Sequence, residues 1–504
     1  MTMRKLLFVV VLMLSSVCLT AATQQFGVRA LHIDLRTQVM TMDALKLTAD
    51  KAAAASMNTI IMEWEANFPF QDNATICGKI AYTRAEVSDF IKYCGQKGLD
   101  VIPLQNCFGH SEYILRHERY ASLRESDKDF SQVCPSRIKQ CCKVFESIFA
   151  EIAAMHPSKY IHIGADETRL LGVCKRCNDK SNSDLFVDYV SAMCAIVKRL
   201  GKTPIIWADM LLKHPEAADR LPKDLIVLDW NYGWKTDHFG DIDGLLAKGF
   251  EMWGACALRS SPDDVKTTCW NVHLGNLQDY VDFCRKKGFT GLVETSWSTS
   301  GTYGYLLGHK ETFDLQPIRE VYPLCGFDLL VAAFGRAANS GERLDAHAFV
   351  RDFCKEKFGL KDSELEVMER YFFTPQNTPN VYVNKPSDFQ KEADVVKGLR
   401  RQMGNVSPRK GKALWNHLAL MLDIRANYMA YKVVESVTEQ PDFHASVAPR
   451  LLKQLEPLVK ESQALKKRFV KLNKSFLKVP EMPLGDWSYV KKMNDLYVKL
   501  QALS

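Results

Sequence analysis

The residues best suited to chemistry in this chain of 504 residues are carboxylates and indoles that close short apolar runs. Glu63-Trp64-Glu65, Asp166-Glu167, Trp207-Ala208-Asp209, Asp229-Trp230-Asn231-Tyr232 and Trp297 each end such a run. Asp34 with Arg36, and Asn106 followed by Gly109-His110, stand at or just beyond two others. A carboxyl group can give or take a proton, and a carboxylate can stabilise a developing positive charge. An indole offers an apolar face and one N–H donor. Gathered on one rim, these side chains describe a sugar pocket, with ring faces on C–H surfaces and acids on the hydroxyls and the glycosidic oxygen. Singly, each has a plainer reading: a tryptophan in a core, an aspartate capping a helix, His162 between Ile161 and Ile163 as a satisfied core histidine. Convergence is what separates the two readings.

Positioning such a rim requires parallel strands that all point one way. Eight short runs, apolar on both faces, predict buried strands: Ala30–Asp34, Thr59–Trp64, Asp100–Gln105, Tyr160–Ala165, Thr203–Asp209, Leu225–Asn231, Phe250–Ala257 and Gly291–Trp297. Helical patterns alternate with them, at Ala44–Ala55, Thr83–Gln96, Ser136–Met155, Ser183–Leu200 and Leu277–Lys287. The second of these opens on Thr83-Arg84-Ala85-Glu86, a capping box, and stops at Lys97-Gly98. Strand and helix in alternation predict an α/β fold, a (β/α)8 TIM barrel over residues 23–343. A doubly wound open sheet is the alternative, but no Gly-rich phosphate loop follows the first strand. From about Leu344 the strand signals stop, and charged helical patterns at Asp388–Met403, Lys412–Ser436 and Ala445–Lys471 predict a C-terminal α-helical region, 344–504, interrupted by a Pro/Asn-rich break at Pro375–Pro386.

The N-terminus orders a charged pair, Arg4-Lys5, an apolar run from Leu6 to Leu14, and small residues at Thr20-Ala21-Ala22. That order predicts a secretory signal peptide, 1–22, and an exported chain, periplasmic or secreted. The apolar run is short for a membrane anchor, and Val17 is bulky for a lipoprotein site at Cys18. A net charge of +7, scattered along the chain, gives no reason to expect a nucleic-acid partner. The 15 cysteines are irregularly spaced, and several lie in apolar segments as small core residues. Cys174-Lys175-Arg176-Cys177 differs: a disulfide is the first reading, with half a zinc site or two free thiols behind it, because no second pair is evident. Sequons stand at Asn73, Asn405 and Asn473.

Tyr160-Ile161-His162-Ile163-Gly164-Ala165-Asp166-Glu167 resembles the H-x-G-[GA]-D-E signature of glycoside hydrolase family 20, the β-N-acetylhexosaminidases. The likeness extends over most of the barrel, through Arg29–Asp34, Tyr82-Thr83 to Pro103, Phe108-Gly109-His110, Cys134-Pro135-Ser136 and Trp207-Ala208-Asp209. Glu63–Phe70, and a barrel beginning directly after the leader, are similar to the hexosaminidase D-like branch. The resemblance implies an exo-acting retaining hydrolase of glycans with terminal β-GlcNAc or β-GalNAc, needing no metal or cofactor, in which the substrate's 2-acetamido oxygen is the nucleophile. Glu167 would then be acid and base. Asp166 would hold the acetamido N–H and the oxazolinium charge, and the neighbouring acids would help keep Glu167 protonated. Arg29 would bind O3 and O4. Trp207, Trp230 and Trp297 would wall the sugar, His110 would support Glu167, and Asp209 would complete the W-x-D motif.

The sequence departs from the family pattern where Trp297-Ser298-Thr299 replaces W-[ST]-E, leaving recognition at O4 and O6 open. The acid partner of the histidine is Glu63 or Glu65, and the tyrosine for the acetamido oxygen is Tyr232 or Tyr303. Two other readings compete. A metal-dependent hydrolase would use His32, Asp34, His162 and Asp166. An inactive sugar-binding homologue would be expected to lack one of the two acids, and both are present.

Overall fold

The computed structural model describes residues 26–260, 263–299, 320–481, 484 and 488–504. The leader expected at 1–22, and Tyr303, lie outside the described residues. Eight parallel strands close a barrel: β1 (Val28–Asp34), β2 (Thr59–Glu63), β3 (Asp100–Leu104), β6 (Tyr160–His162), β7 (Thr203–Trp207), β8 (Ile226–Trp230), β9 (Glu251–Arg259) and β10 (Gly291–Ser296). Closure runs through β1 against β10, with Val28 opposite Gly291. All eight fall on the predicted runs, several trimmed at their C-terminal ends, where the chain turns into the rim. A two-stranded hairpin, β4 (Arg124–Ser126) and β5 (Asp129–Val133), lies between β3 and β6. It is too short and polar to show a period in the sequence.

The alternation of side chains sets the two layers. Ala30, Ile61, Ile102, Ile205, Leu228 and Val293 pack together inside the barrel. Their neighbours Leu31, Ile33, Ile60, Met62 and Val101 face outward and join the core under the helices. Helix Ile138–Met155 fills that outer layer with Phe145, Ile148, Phe149 and Ile152, all fully buried. Each such side chain stabilises the fold by about 1.5–3 kcal/mol. Helix Arg84–Gln96 starts on the predicted capping box, with both the Thr83 and the Glu86 side-chain bonds formed.

From Ala346 onward the described elements are helical, the longest being Lys412–Thr438 and Ala448–Asn473. This region is tied to the loop after β1: Thr41 N–H donates to Phe476 O, and Lys478 N–H donates to Val39 O. Among the described residues no helix is long and apolar enough to cross a membrane. Of the sequons, Asn73 is buried with its amide donating to Ser147, and Asn473 is buried with its amide donating to Phe469 O. Asn405 is exposed.

Candidate active site

Parallel strands deliver their C-terminal ends to one face. That face carries Asp34, Glu63, Glu65, His110, Asp166, Glu167, Trp207, Asp209, Trp230, Tyr232 and Trp297, each at the end of a barrel strand or just after it. Asp166 and Glu167 sit on an unusual backbone. Gly164, Ala165 and Glu167 have φ of 74°, 72° and 45°, and His110 and Glu65 are left-handed as well, at 51° and 50°. Left-handed conformations cost non-glycine residues energy and cluster where geometry is imposed for function. Two glycines make the arrangement possible. A Cβ on Gly109 would stand 2.2 Å from Asp166 O, and one on Gly164 would stand 2.1 Å from Asn106 Oδ1. The loop after β3 and the loop after β6 are therefore in backbone contact.

His110 Nε2 lies 3.3 Å from Asp166 Oδ2 and 3.3 Å from Glu167 Oε2. Burial works to lower the His110 pKa, but the two carboxylates outweigh it and hold the ring well above its usual value, as an imidazolium. The backbone N–H of Glu167 donates to Asp209 Oδ2 at 3.1 Å. Burial, with Asp166 close by, pushes the Asp209 carboxyl up. Asp166 keeps Oδ1 buried and without a hydrogen-bond partner. A buried carboxylate oxygen left so is costly unless water or a ligand donates to it.

Glu167 departs from expectation. Its Oε1 accepts from Arg169 at 2.7 Å. Burial works to raise its pKa, but the bonds and charges of His110 and Arg169 outweigh that and hold it at about 2. The neighbouring acid therefore does not keep Glu167 protonated here; two cations override it. Arg169 is 61% exposed. No motif points to it in the sequence, although a cation two residues beyond a candidate acid is a signal that could be sought.

Aromatic groups form the floor and wall. Trp207 and Trp297 have ring centroids 5.8 Å apart, and Trp297 also packs on His32 at 4.6 Å. The Trp297 indole N–H donates to Tyr232 Oη at 3.0 Å. Trp230 stacks near Tyr232 at 5.1 Å, and its N–H points to Asp209 Oδ1 at 3.5 Å.

Arg29 requires correction. It lies on the first turn of β1, at the opposite end of the strand from Asp34, and its parity turns it away from the barrel interior. Its side chain donates to Phe26 O at 2.6 Å and Ser56 O at 3.0 Å. It ties the barrel's N-terminal face and cannot meet a sugar at the other. The guanidinium at the mouth is Arg36, which grips Asp34 with two bonds of 3.1 and 3.0 Å and lies 5.2 Å from the Trp297 ring. Neither Glu63 nor Glu65 holds His110. Glu63 bonds His32 at 3.1 Å and Asn106 at 2.8 Å, while Glu65 is buried just past β2. The metal quartet of the competing reading does not assemble: Asp34 is engaged by Arg36 and the Ser298 N–H, and His32 by Glu63.

Residues 64–252 match the family model described as glycosyl hydrolase family 20, catalytic domain. Hexosaminidase D of Homo sapiens is 26% identical over 305 residues, covering 56% of this chain and 62% of that protein. Hexosaminidase D of Bos taurus is 26% identical over 292 residues, covering 53% of this chain and 84% of that protein. This chain thus matches less than two thirds of the human relative's length. In fold it is similar to a Flavobacterium johnsoniae chitobiase, with a TM-score of 0.51 and 15% identity over 95% of this chain and 73% of that one. Over residues 64–252 the chain is similar to the catalytic domain of glycosyl hydrolase family 20, and over 292 to 305 residues it is similar to hexosaminidase D.

Proposed function

We propose that this chain is an exported exo-β-N-acetylhexosaminidase that removes terminal β-GlcNAc or β-GalNAc with retention, using the sugar's own acetamido group. The observation that carries this reading is Asp166 Oδ1, buried and unpaired beside Glu167. An acetamido N–H supplies the donor that oxygen lacks. Held there, the acetamido oxygen attacks C1 as the C1–O bond to the leaving group breaks, and Glu167 gives its proton to the departing oxygen. The positive charge that spreads over the oxazolinium faces the Asp166 carboxylate. Water then adds to C1, Glu167 takes its proton, and the ring reopens to the acetamide.

Glu167 must be protonated to begin. With Arg169 against it, the acid is a carboxylate, so the sugar's arrival has to displace Arg169 and exclude water from Oε1. Both changes raise the pKa. His110 remains between the two acids and fixes their spacing. Tyr232, already accepting from Trp297, has its hydroxyl hydrogen directed by that bond and serves as the donor to the acetamido oxygen. Arg36 rather than Arg29 is placed for ring hydroxyls, and Trp207, Trp230 and Trp297 for the methyl and the ring face. The leader supports export, and N-terminal sequencing of the mature chain, expected to begin near Thr23, tests it. Hydrolysis of paired aryl β-GlcNAc and β-GalNAc substrates, beside Glu167→Gln, tests the activity and ranks the two sugars.

A further inference from the structure

Beyond the sugar site, the loops of the catalytic face bring together four groups far apart in sequence. Glu125 lies on β4, Cys134 directly follows β5, and Cys174 and Cys177 lie in the loop that begins at Asp166. Their ligand atoms all lie within 4.8 Å of one another. We propose that Cys134, Cys174, Cys177 and Glu125 form a structural zinc site that fastens the β4–β5 hairpin to the catalytic loop.

The geometry favours a four-ligand site over a disulfide. The three sulfurs form a nearly equilateral triangle, with Cys174–Cys177 at 3.4 Å, Cys134–Cys174 at 3.6 Å and Cys134–Cys177 at 3.7 Å. A tetrahedral zinc with Zn–S of about 2.3 Å spaces its sulfurs by about 3.8 Å. The Glu125 Oε2 to Cys177 Sγ distance is 3.5 Å. With Zn–O of about 2.0 Å the same tetrahedron gives about 3.5 Å for that edge. A disulfide would draw one pair to about 2.05 Å and strand the third thiol and the carboxylate. The carboxylate is also held in aim: Glu125 Oε1 accepts the Cys174 N–H at 2.8 Å, leaving Oε2 toward the sulfurs. Ligands fixed by such outer bonds are the mark of a built site. Three thiolates and one carboxylate suit zinc and not calcium or magnesium, which take oxygen ligands.

The position gives the site its purpose. The loop after β3 carries His110, and the loop after β6 carries Asp166, Glu167 and Arg169. Besides the contact of Gly109 with Asp166 O, these loops share the bond from Leu170 N–H to Gln132 Oε1 at 2.8 Å. Zinc would lock that junction a few residues beyond Glu167, holding its left-handed backbone. Its role is mechanical, since none of its ligands reaches the acids.

The test is metal analysis of the full chain, purified with zinc supplied and with no chelator. Roughly one zinc per chain is expected. Cys134→Ser and Cys177→Ser should lose it, while Cys142→Ser, outside the cluster, should keep it. Cobalt(II) loaded into the chelator-stripped wild type should give a thiolate-to-metal charge-transfer band. That measurement needs no variant, so it decides the matter even if the serine variants fail to fold. A wild type that takes up neither zinc nor cobalt would overturn the proposal, as would a Cys174–Cys177 disulfide in the purified chain. So would zinc retained in full by a folded Cys134→Ser protein.

Discussion

The two ends of β1 carry arginines seven residues apart, and they do opposite work. Arg29, on the N-terminal face, donates its side chain to two backbone carbonyls and ties the start of β1 to the turn before β2. Arg36, on the C-terminal face, is held by a carboxylate against an indole at the mouth. The difference extends to the faces as wholes. On the N-terminal face the polar side chains pair with backbone or with one another, as Ser158 does with Asp100 and Thr290 with Glu251. The other leaves Asp166 Oδ1 without a partner, strains Ala165 and Glu167 into left-handed conformations, and places an imidazolium between two acids. A barrel can be stable at one end and poised at the other because the strands between them are rigid.

The largest effects should come from the acids at the poised end. Asp166→Asn should slow hydrolysis of every substrate by ~10²–10³-fold or more, by analogy with removing a preorganised stabiliser of transition-state charge. Glu167→Gln should separate substrates by leaving group. Those with poor leaving groups should lose nearly all rate, while activated aryl glycosides should keep part of the cleavage step. Steady-state and burst kinetics on both classes would show this. Equal losses for both classes in Glu167→Gln would count against its role as the acid.

The arginines sharpen the contrast between the faces. Arg36→Lys keeps the charge beside Asp34 but loses the two-bond fork, and should raise KM by ~10-fold, the worth of one charge-assisted hydrogen bond. Arg29→Lys should leave KM unchanged and lower stability, by about 1–3 kcal/mol for two buried bonds. Michaelis kinetics with denaturant melts would separate them. A KM effect from Arg29→Lys and none from Arg36→Lys would reverse the assignment of the two ends.

The smallest effect is electrostatic. Removing Arg169 takes a cation from Glu167, so the carboxyl pKa rises and the protonated fraction at a given pH increases. The alkaline limb of the kcat/KM profile of Arg169→Ala should therefore move to higher pH. The shift should stay under ~1 unit, because an exposed pair is worth ~0.2–1 kcal/mol. An unmoved or lowered limb would mean that Arg169 does not set the acid.

Much of this molecule is legible in its sequence. The strands are legible because a strand buried on both faces reads as an apolar run, and their C-terminal ends name the rim. Asp166 and Glu167 are legible because they end an apolar run in the order His162-Ile163-Gly164-Ala165-Asp166-Glu167, which resembles the family 20 signature. Arg29 misleads because strand parity and end are three-dimensional facts: its place in a familiar first-strand pattern does not say which way the side chain turns. Arg169 and the partners of Cys174 and Cys177 are hidden because loop-to-loop contact leaves no period. The β4–β5 hairpin brings Glu125 and Cys134 to the C-x-x-C from 49 and 40 residues upstream.

The central claim is that the substrate supplies the nucleophile and Asp166 holds it. Its most direct test is the rate of cleavage of an aryl β-N-acetylhexosaminide against the matching aryl glycoside that lacks the 2-acetamido group, with the same leaving group and the wild-type chain. The account predicts that the first is hydrolysed with retention and that the second is essentially inert. Comparable rates for the two would contradict it, because the protein would then have to own its nucleophile.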